Sequence, residues 1–306
     1  MEDNANMKKK GNTLVILAAF FYGINVVISK TAYNEGANPM FVLAMRFLIA
    51  STLLWGYSLA SGGRQKVHAS RAQLKTLFII GGIVYAGFSI VYYNSINYIP
   101  VSLASVIFYL YPVIVNLFMV RVLKERMVPK QLFALIMATV GCVLMVWSPV
   151  SQFNTFGILL AFGACLSFST HLILLGSRFS ENLSTMDSLT VTTYITTAAT
   201  VTLMAAALVT GNLQWSVTPK AWAAILASAI FSTFLSNLLF FAGIRETGSS
   251  RAAILCTFEP VVSVALGVIL LREILTPLQF FGITMIIIAV IIINMLKSKD
   301  NSAENI

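Results

Sequence analysis

Glu259 stands inside a long apolar run and directly precedes Pro260. An ionised carboxylate in hydrocarbon costs several kcal/mol, so a residue like this must meet a partner, a wet cavity or a proton. The chemistry it offers is cation binding, either of a substrate ammonium or of a coupling proton. The competing reading is a paired or permanently neutral structural glutamate. His171, Asn25, Asn237, Tyr22, Tyr111 and Phe108 lie in similarly apolar surroundings. Polar side chains at such depths either tie helices together or contact a solute. Arg46 lies towards one end of its run. It either snorkels to the surface or binds a substrate carboxylate. Pro112 and Pro260 each remove a backbone donor and are candidate hinges. The sequence carries no Ser/His/Asp arrangement, metal-ligand cluster or Walker A motif. Catalytic residues, a bound metal and a cofactor are therefore not expected.

These residues must be positioned by membrane helices. The chain has 306 residues, of which 58% are hydrophobic and only 10% charged, with a mean hydropathy of +0.85. A soluble fold of this length has too few charges here to cover its surface. Cys142, Cys165 and Cys256 all fall in apolar runs. They read as small packing residues, not a disulfide frame or a zinc site. Ten runs are long enough to predict spans, an all-α integral membrane protein with the lipid bilayer as its solvent. They lie near Thr13–Ala32, Met40–Ala60, Leu74–Asn94, Ser102–Val120, Gln131–Ser148, Phe156–Leu175, Met186–Val209, Ala221–Gly243, Arg251–Leu271 and Leu278–Leu296. The first run follows Lys8-Lys9-Lys10 but has no small-residue cleavage site, so it reads as a retained helix and not a signal peptide.

With the N-terminus in the cytoplasm, sixteen Lys and Arg fall on the inner side and three, Lys30, Lys220 and Arg272, on the outer. That asymmetry orients the chain in the cell membrane with both termini cytoplasmic. The net charge of +9 is thus an orientation signal, and no nucleic acid is expected as a partner.

The second half repeats the first. A slide of 148 residues lays Tyr111-Pro112-Val113 on Glu259-Pro260-Val261, Lys124-Glu125 on Arg272-Glu273, and Pro129 and Gln131 on Pro277 and Gln279. The halves are residues 1–150 and 151–306, each with five helices. Five is odd, so the second copy enters the membrane from the opposite side, giving two inverted repeats. Inverted repeats place a substrate site near the midplane between the halves. A slide of 146 lays Asn25 on His171, so these two are expected to face each other across the pseudo-axis. Together with Tyr111 and Glu259 they are expected to line one cavity. Glu125 and Glu273, beside Lys124 and Arg272, read as ion pairs at helix ends. Gly81, Gly82 and Gly87 read as points of close helix packing. Tyr92 and Tyr93 read as interfacial aromatics.

The sequence resembles the drug/metabolite transporter (DMT) superfamily, in its ten-helix EamA branch. The resemblance rests on Ala-Met-Arg-Phe at Ala44–Phe47, Tyr-Pro-Val at Tyr111–Val113 and Glu-Pro-Val at Glu259–Val261, with the paired Glu-x5-Gln signatures at Glu125–Gln131 and Glu273–Gln279. It departs at Phe21-Tyr22-Gly23, where the family often has Trp-Gly. What the resemblance implies is a secondary transporter of a small organic molecule, often an exporter of amino acids or related metabolites. A coupling proton is a candidate partner, and a monomer or homodimer would suffice. An intramembrane enzyme or a membrane sensor built on the same polar residues is the alternative.

Overall fold

In hydrocarbon every backbone group must be satisfied within the protein, which leaves helices or closed barrels. The computed structural model describes residues 2–66, 68–146, 154–176, 182–271 and 276–296, and these are helical with no strand among them. Among the described residues nine helices are long and apolar enough to cross a membrane: α1 Lys9–Asn34, α2 Pro39–Ser61, α3 Arg71–Ser95, α4 Leu103–Arg121, α6 Thr155–Leu175, α7 Ser188–Val209, α8 Pro219–Thr247, α9 Ser249–Leu270 and α10 Pro277–Met295. The shorter apolar helix α5, Pro129–Met145, completes the predicted set of ten. The boundary expected between the halves, and Pro149, Arg178, Arg272, Glu273, Lys297 and Lys299, lie outside the described residues.

Asn12, early in α1, donates to Asn294 of α10 at 3.4 Å. The chain therefore enters and leaves the bundle at the same end, as an even number of spans requires. At that end Arg251 also donates to the Leu296 carbonyl, at 3.3 Å.

Helices in lipid associate through close packing and interhelical hydrogen bonds more than through water exclusion. Gly141 of α5 and Gly282 of α10 let those helices meet backbone to backbone; a Cβ on Gly141 would stand 2.8 Å from the Gly282 carbonyl oxygen. Gly81 meets α7 as expected, since a Cβ there would lie 2.8 Å from the Ile195 Cα. Gly87 does not act this way, because a Cβ on it would meet nothing within 4 Å.

Two of the expected continuous helices are broken. α4 consists of Val101–Phe108 followed by Tyr111–Arg121, and α9 of Ser249–Leu255 followed by Phe258–Leu271. Pro112 and Pro260 explain both breaks. Neither can close the helical bond four residues back. A two-residue turn stands just upstream, with bonds such as Leu110 N–H to the Ile107 carbonyl and Thr257 N–H to the Ile254 carbonyl, and the helix restarts with the proline in the first turn of the second half, where a missing donor costs little. Pro112 and Pro260 therefore start half-helices; they are not kinks within continuous ones. α3 and α8 share a different irregularity. Each contains a π-helical segment, Ile79–Tyr85 and Ser228–Leu235, and the slide of 148 lays one almost on the other. A π segment carries an extra residue per turn and often sits at a functional position.

Matching polar clasps hold the two ends. At one end Lys220 pairs with Glu35 at 2.9 Å, Thr218 donates to Glu35 at 3.0 Å, and the Asn38 side chain donates to Asn212 at 3.0 Å. At the other end Gln73 donates to the Asn182 carbonyl at 2.9 Å and to Thr185 at 3.2 Å. Thr218 and Ser70, the caps of α8 and α3, are equivalent under the slide of 148. The hydrogen bond from Lys220, with that from Thr218, holds the Glu35 carboxyl below the usual carboxylate range. Its contribution is thus present above the ordinary carboxylate value and is lost as pH falls through the depressed one. In Glu35→Gln, amide exchange over residues 34–38 is expected to exceed the wild-type rate several-fold at neutral pH, with the midpoint of global unfolding unchanged. The ratio should fall towards one in acid, where the wild type also loses the pair. Equal exchange at neutral pH would show that the clasp does not hold this loop.

Candidate functional site

The broken ends of α4 and α9 meet near the middle of the bundle. Glu259 lies in the first turn of the second half of α9, where the free amide groups favour a negative side chain. It stands at a helix start and not in mid-helix as the sequence suggests. Its side chain is half-buried. Among the described residues its carboxylate has neither a hydrogen-bond partner nor an ion pair. Tyr111 opens the second half of α4 and is buried. The two repeats thus offer the centre unlike groups at equivalent positions.

α1 is held against α9 at this level by Gly23. A Cβ there would stand 2.6 Å from the Val262 Cβ and 2.7 Å from the Glu259 carbonyl oxygen. Ser263 donates to the Gly23 carbonyl at 3.1 Å across the same crossing. One residue earlier, Tyr22 donates to Asn237 Oδ1 at 2.6 Å, and Tyr85 of α3 reaches the same oxygen at 3.4 Å. Asn237 in turn donates to Thr196 of α7 at 3.5 Å. Asn237 therefore ties α1, α3 and α7 to α8.

The Arg46 guanidinium carbon lies 5.4 Å from the centroid of the Phe47 ring. Its Nε is buried without a hydrogen-bond partner.

Aromatic rings line the α3–α4–α6 side. His171 is buried and stacked on Tyr85 at 4.5 Å, with 14° between the planes. Phe168 meets Tyr111 edge-on at 4.9 Å. Phe108 lies 5.3 Å from Phe88, 5.3 Å from Tyr111 and 5.2 Å from Phe168. Tyr92 belongs to this group rather than to the membrane surface. It lies 5.4 Å from Phe108 and shares a 3.0 Å hydrogen bond with Ser105. His171 Nδ1, like Arg46 Nε, is buried without a partner, as are the Ser232 and Thr233 hydroxyls in the π segment of α8. Buried unpaired polar atoms are rare and require an explanation, such as a bound water, ion or solute.

Asn25 and His171 are not brought face to face. Asn25 accepts from Ser228 at 2.6 Å and from Ser29 at 3.1 Å, whereas His171 packs against Tyr85 and Phe241. Equivalent sequence positions need not meet when different helices surround each one. Glu125 is also reassigned. Instead of pairing with Lys124 it accepts from Ser250 of α9 at 3.2 Å, and it lines a cavity of about 390 Å³ with Arg126, Gln131, Glu246 and Arg251. Asn116 escaped the sequence reading altogether. Fully buried in α4, it donates to the Pro112 carbonyl at 2.8 Å and to the Ser250 carbonyl at 3.3 Å, joining the two broken helices. One asparagine in an apolar run carries no pattern by which to single it out.

The profile of the EamA-like transporter family matches residues 9–147 and again residues 155–295. The chain belongs to the EamA-like transporter family. The double match covers nearly all of both halves, and the DMT superfamily assignment follows. The chain is 24% identical to the uncharacterized transporter YwfM of Bacillus subtilis, over 96% of this chain and 98% of that one. It is 23% identical to the uncharacterized transporter sll1319 of Synechocystis, over 98% of each. Protein PecM of Dickeya dadantii is 24% identical over 71% of this chain and 72% of its own. One solved crystal structure superposes with a TM-score of 0.79 at 18% identity, covering 95% of this chain and 99% of its own. At that identity the likeness shows the fold alone. This EamA chain is thus a multi-pass membrane transporter whose polar centre lies where the two matched halves meet.

Proposed function

We propose that this EamA protein exports a small organic metabolite, an amino acid or a related compound, across the cell membrane by alternating access. The observation that carries the reading is the matched pair of breaks, which set Tyr111 and Glu259 at the starts of half-helices in the two repeats. Broken helices at a repeat interface are how many secondary transporters present groups to a solute at the midplane. Each repeat has an odd number of helices, so the copies are inverted and the pseudo-axis lies in the membrane plane. The Lys and Arg distribution supports cytoplasmic termini.

In the mechanism, the breaks at 109–110 and 256–257 and the π segments of α3 and α8 are where the helices flex. The polar clasps at the two ends open in alternation. Glu259 meets the cation in the centre, a proton or a substrate ammonium. Tyr22, Phe108, Tyr111, Asn237, His171 and Asn25 shape the walls, and Arg46 supplies a positive charge. The direction is tested in cells. Expression is expected to protect against toxic amino acid analogues and to lower their intracellular level. Greater sensitivity with higher uptake would reverse the direction. In proteoliposomes the solute should be moved unchanged, and its chemical conversion would reject transport in favour of an enzyme.

A further inference from the structure

We infer that Asn116 is a latch that holds two half-helices together at the end of the bundle where α1 begins and α10 finishes, and that only one repeat carries it. The inference goes beyond the transport reading and rests on it only for there being two facing states. The second half of α4, Tyr111–Arg121, and the first half of α9, Ser249–Leu255, lie at the end where Asn12 meets Asn294 and Arg251 meets Leu296. There Asn116, fully buried, donates to the Pro112 carbonyl of its own half-helix at 2.8 Å and to the Ser250 carbonyl of the other at 3.3 Å. The Ser250 hydroxyl also donates to Glu125 at 3.2 Å, so the start of α9 is gripped twice. Gln131 of α5 donates to Asn116 Oδ1 at 3.5 Å, which turns the amide N–H groups towards the two carbonyls. Gln131, Ser250 and Glu125 line the cavity of about 390 Å³, so the latch stands in its wall.

The other repeat cannot build the same latch. The slide of 148 lays Asn116 on Val264, and valine has no side-chain donor. It lays Gln131 on Gln279, but that glutamine is used otherwise. Its Oε1 accepts from the Thr276 backbone N–H at 3.0 Å, and the Thr276 hydroxyl oxygen accepts from the Gln279 backbone N–H at 3.3 Å. The residue in the position of Thr276 before α5 is Val128, which offers no such cap, so Gln131 is left to turn to Asn116. The packing follows the same asymmetry. Tyr111–Arg121 packs on Ser249–Leu255, whereas among the described residues Val101–Phe108 and Phe258–Leu271 make no comparable contact. An amide that bonds across two half-helices stabilises only the state in which they touch, and such a difference is what shifts a conformational equilibrium. The latch therefore favours the state closed at its own end.

The test uses the purified full chain in detergent and reads how fast a water-soluble maleimide labels one introduced cysteine, located by peptide mass spectrometry. Met119→Cys reports on the latched end, since Met119 is buried three residues from Asn116 on the same face of α4. Val264→Cys reports on the opposite end. Adding Asn116→Val, which copies the equivalent position of the other repeat, should speed labelling at position 119 about three- to tenfold, the scale of one lost interhelical hydrogen bond. Labelling at position 264 should slow. Gln131→Leu should act in the same direction by a smaller factor, and it decides the matter if Asn116→Val does not fold. Labelling that rises at both positions, or changes at neither, overturns the latch, because general loosening moves both and a passive contact moves none. Accessibility and flux fail separately. Opposite shifts at the two positions without transport in proteoliposomes would reject the transport reading alone, and transport without those shifts would reject the latch alone.

Discussion

Glu259→Gln is expected to abolish flux driven by a pH gradient while leaving the protein folded. The side chain is half-buried near mid-bundle and has no partner among the described residues. Its ionisation therefore depends on whether water or a cation reaches it. In a state open to water the carboxylate is stabilised. In a closed state without a cation the neutral acid is preferred. A proton can drive the conformational change only through that difference, because only differential interaction shifts an equilibrium. Glutamine keeps the shape and removes both the charge and the titration. Driven flux in proteoliposomes should fall to below about one-tenth of the wild-type rate, the scale of a typical coupling free energy. Glu259→Asp should keep part of the activity. The unfolding midpoint of the Gln variant should hold or rise, because a desolvation cost is removed with the charge. Unchanged flux and unchanged pH dependence in Glu259→Gln would make the residue structural.

Gly23→Ala should cost both stability and transport without touching a polar side chain. The new methyl would stand 2.6 Å from the Val262 Cβ and 2.7 Å from the Glu259 carbonyl oxygen. Neither is the free end of a flexible side chain, so α1 must move off α9. Overpacking of this kind typically costs about 1–3 kcal/mol. The shift also strains the hydrogen bond from Ser263 to the Gly23 carbonyl and moves Tyr22 and Glu259 relative to each other. Lower flux with a lower unfolding midpoint is expected. Gly56→Ala in α2 is the control, since a Cβ there would meet nothing within 4 Å. If Gly23→Ala behaved like Gly56→Ala, the α1–α9 crossing would not be the contact that fixes the site.

The span count, the helical class and the duplication were legible in the sequence because each is written in a repeating signal. Apolar runs of bilayer length have one solution in hydrocarbon, and the Pro, Glu and Gln punctuation at a fixed slide marks two copies. Single residues were legible only where their cost was conspicuous. Glu259 stood out because a lone carboxylate in an apolar run demands a reason, and Asn116 did not because asparagines in helices are common.

The sequence by itself thus determined which segments enter the membrane, that they form two like halves, and that Glu259, His171 and Arg46 needed an account. Only the tertiary structure decided what surrounds them. It broke α4 and α9 just upstream of their prolines, set Arg46 over the Phe47 ring, stacked His171 on Tyr85 and gave Asn25 and His171 different partners. The physical reason is one of range. Hydrophobicity and proline act along the chain and can be read residue by residue. Pairing between helices depends on their rotation and depth, to which contacts such as Gly23 with Val262 and Gly81 with Ile195 contribute, and on neighbours far away in sequence.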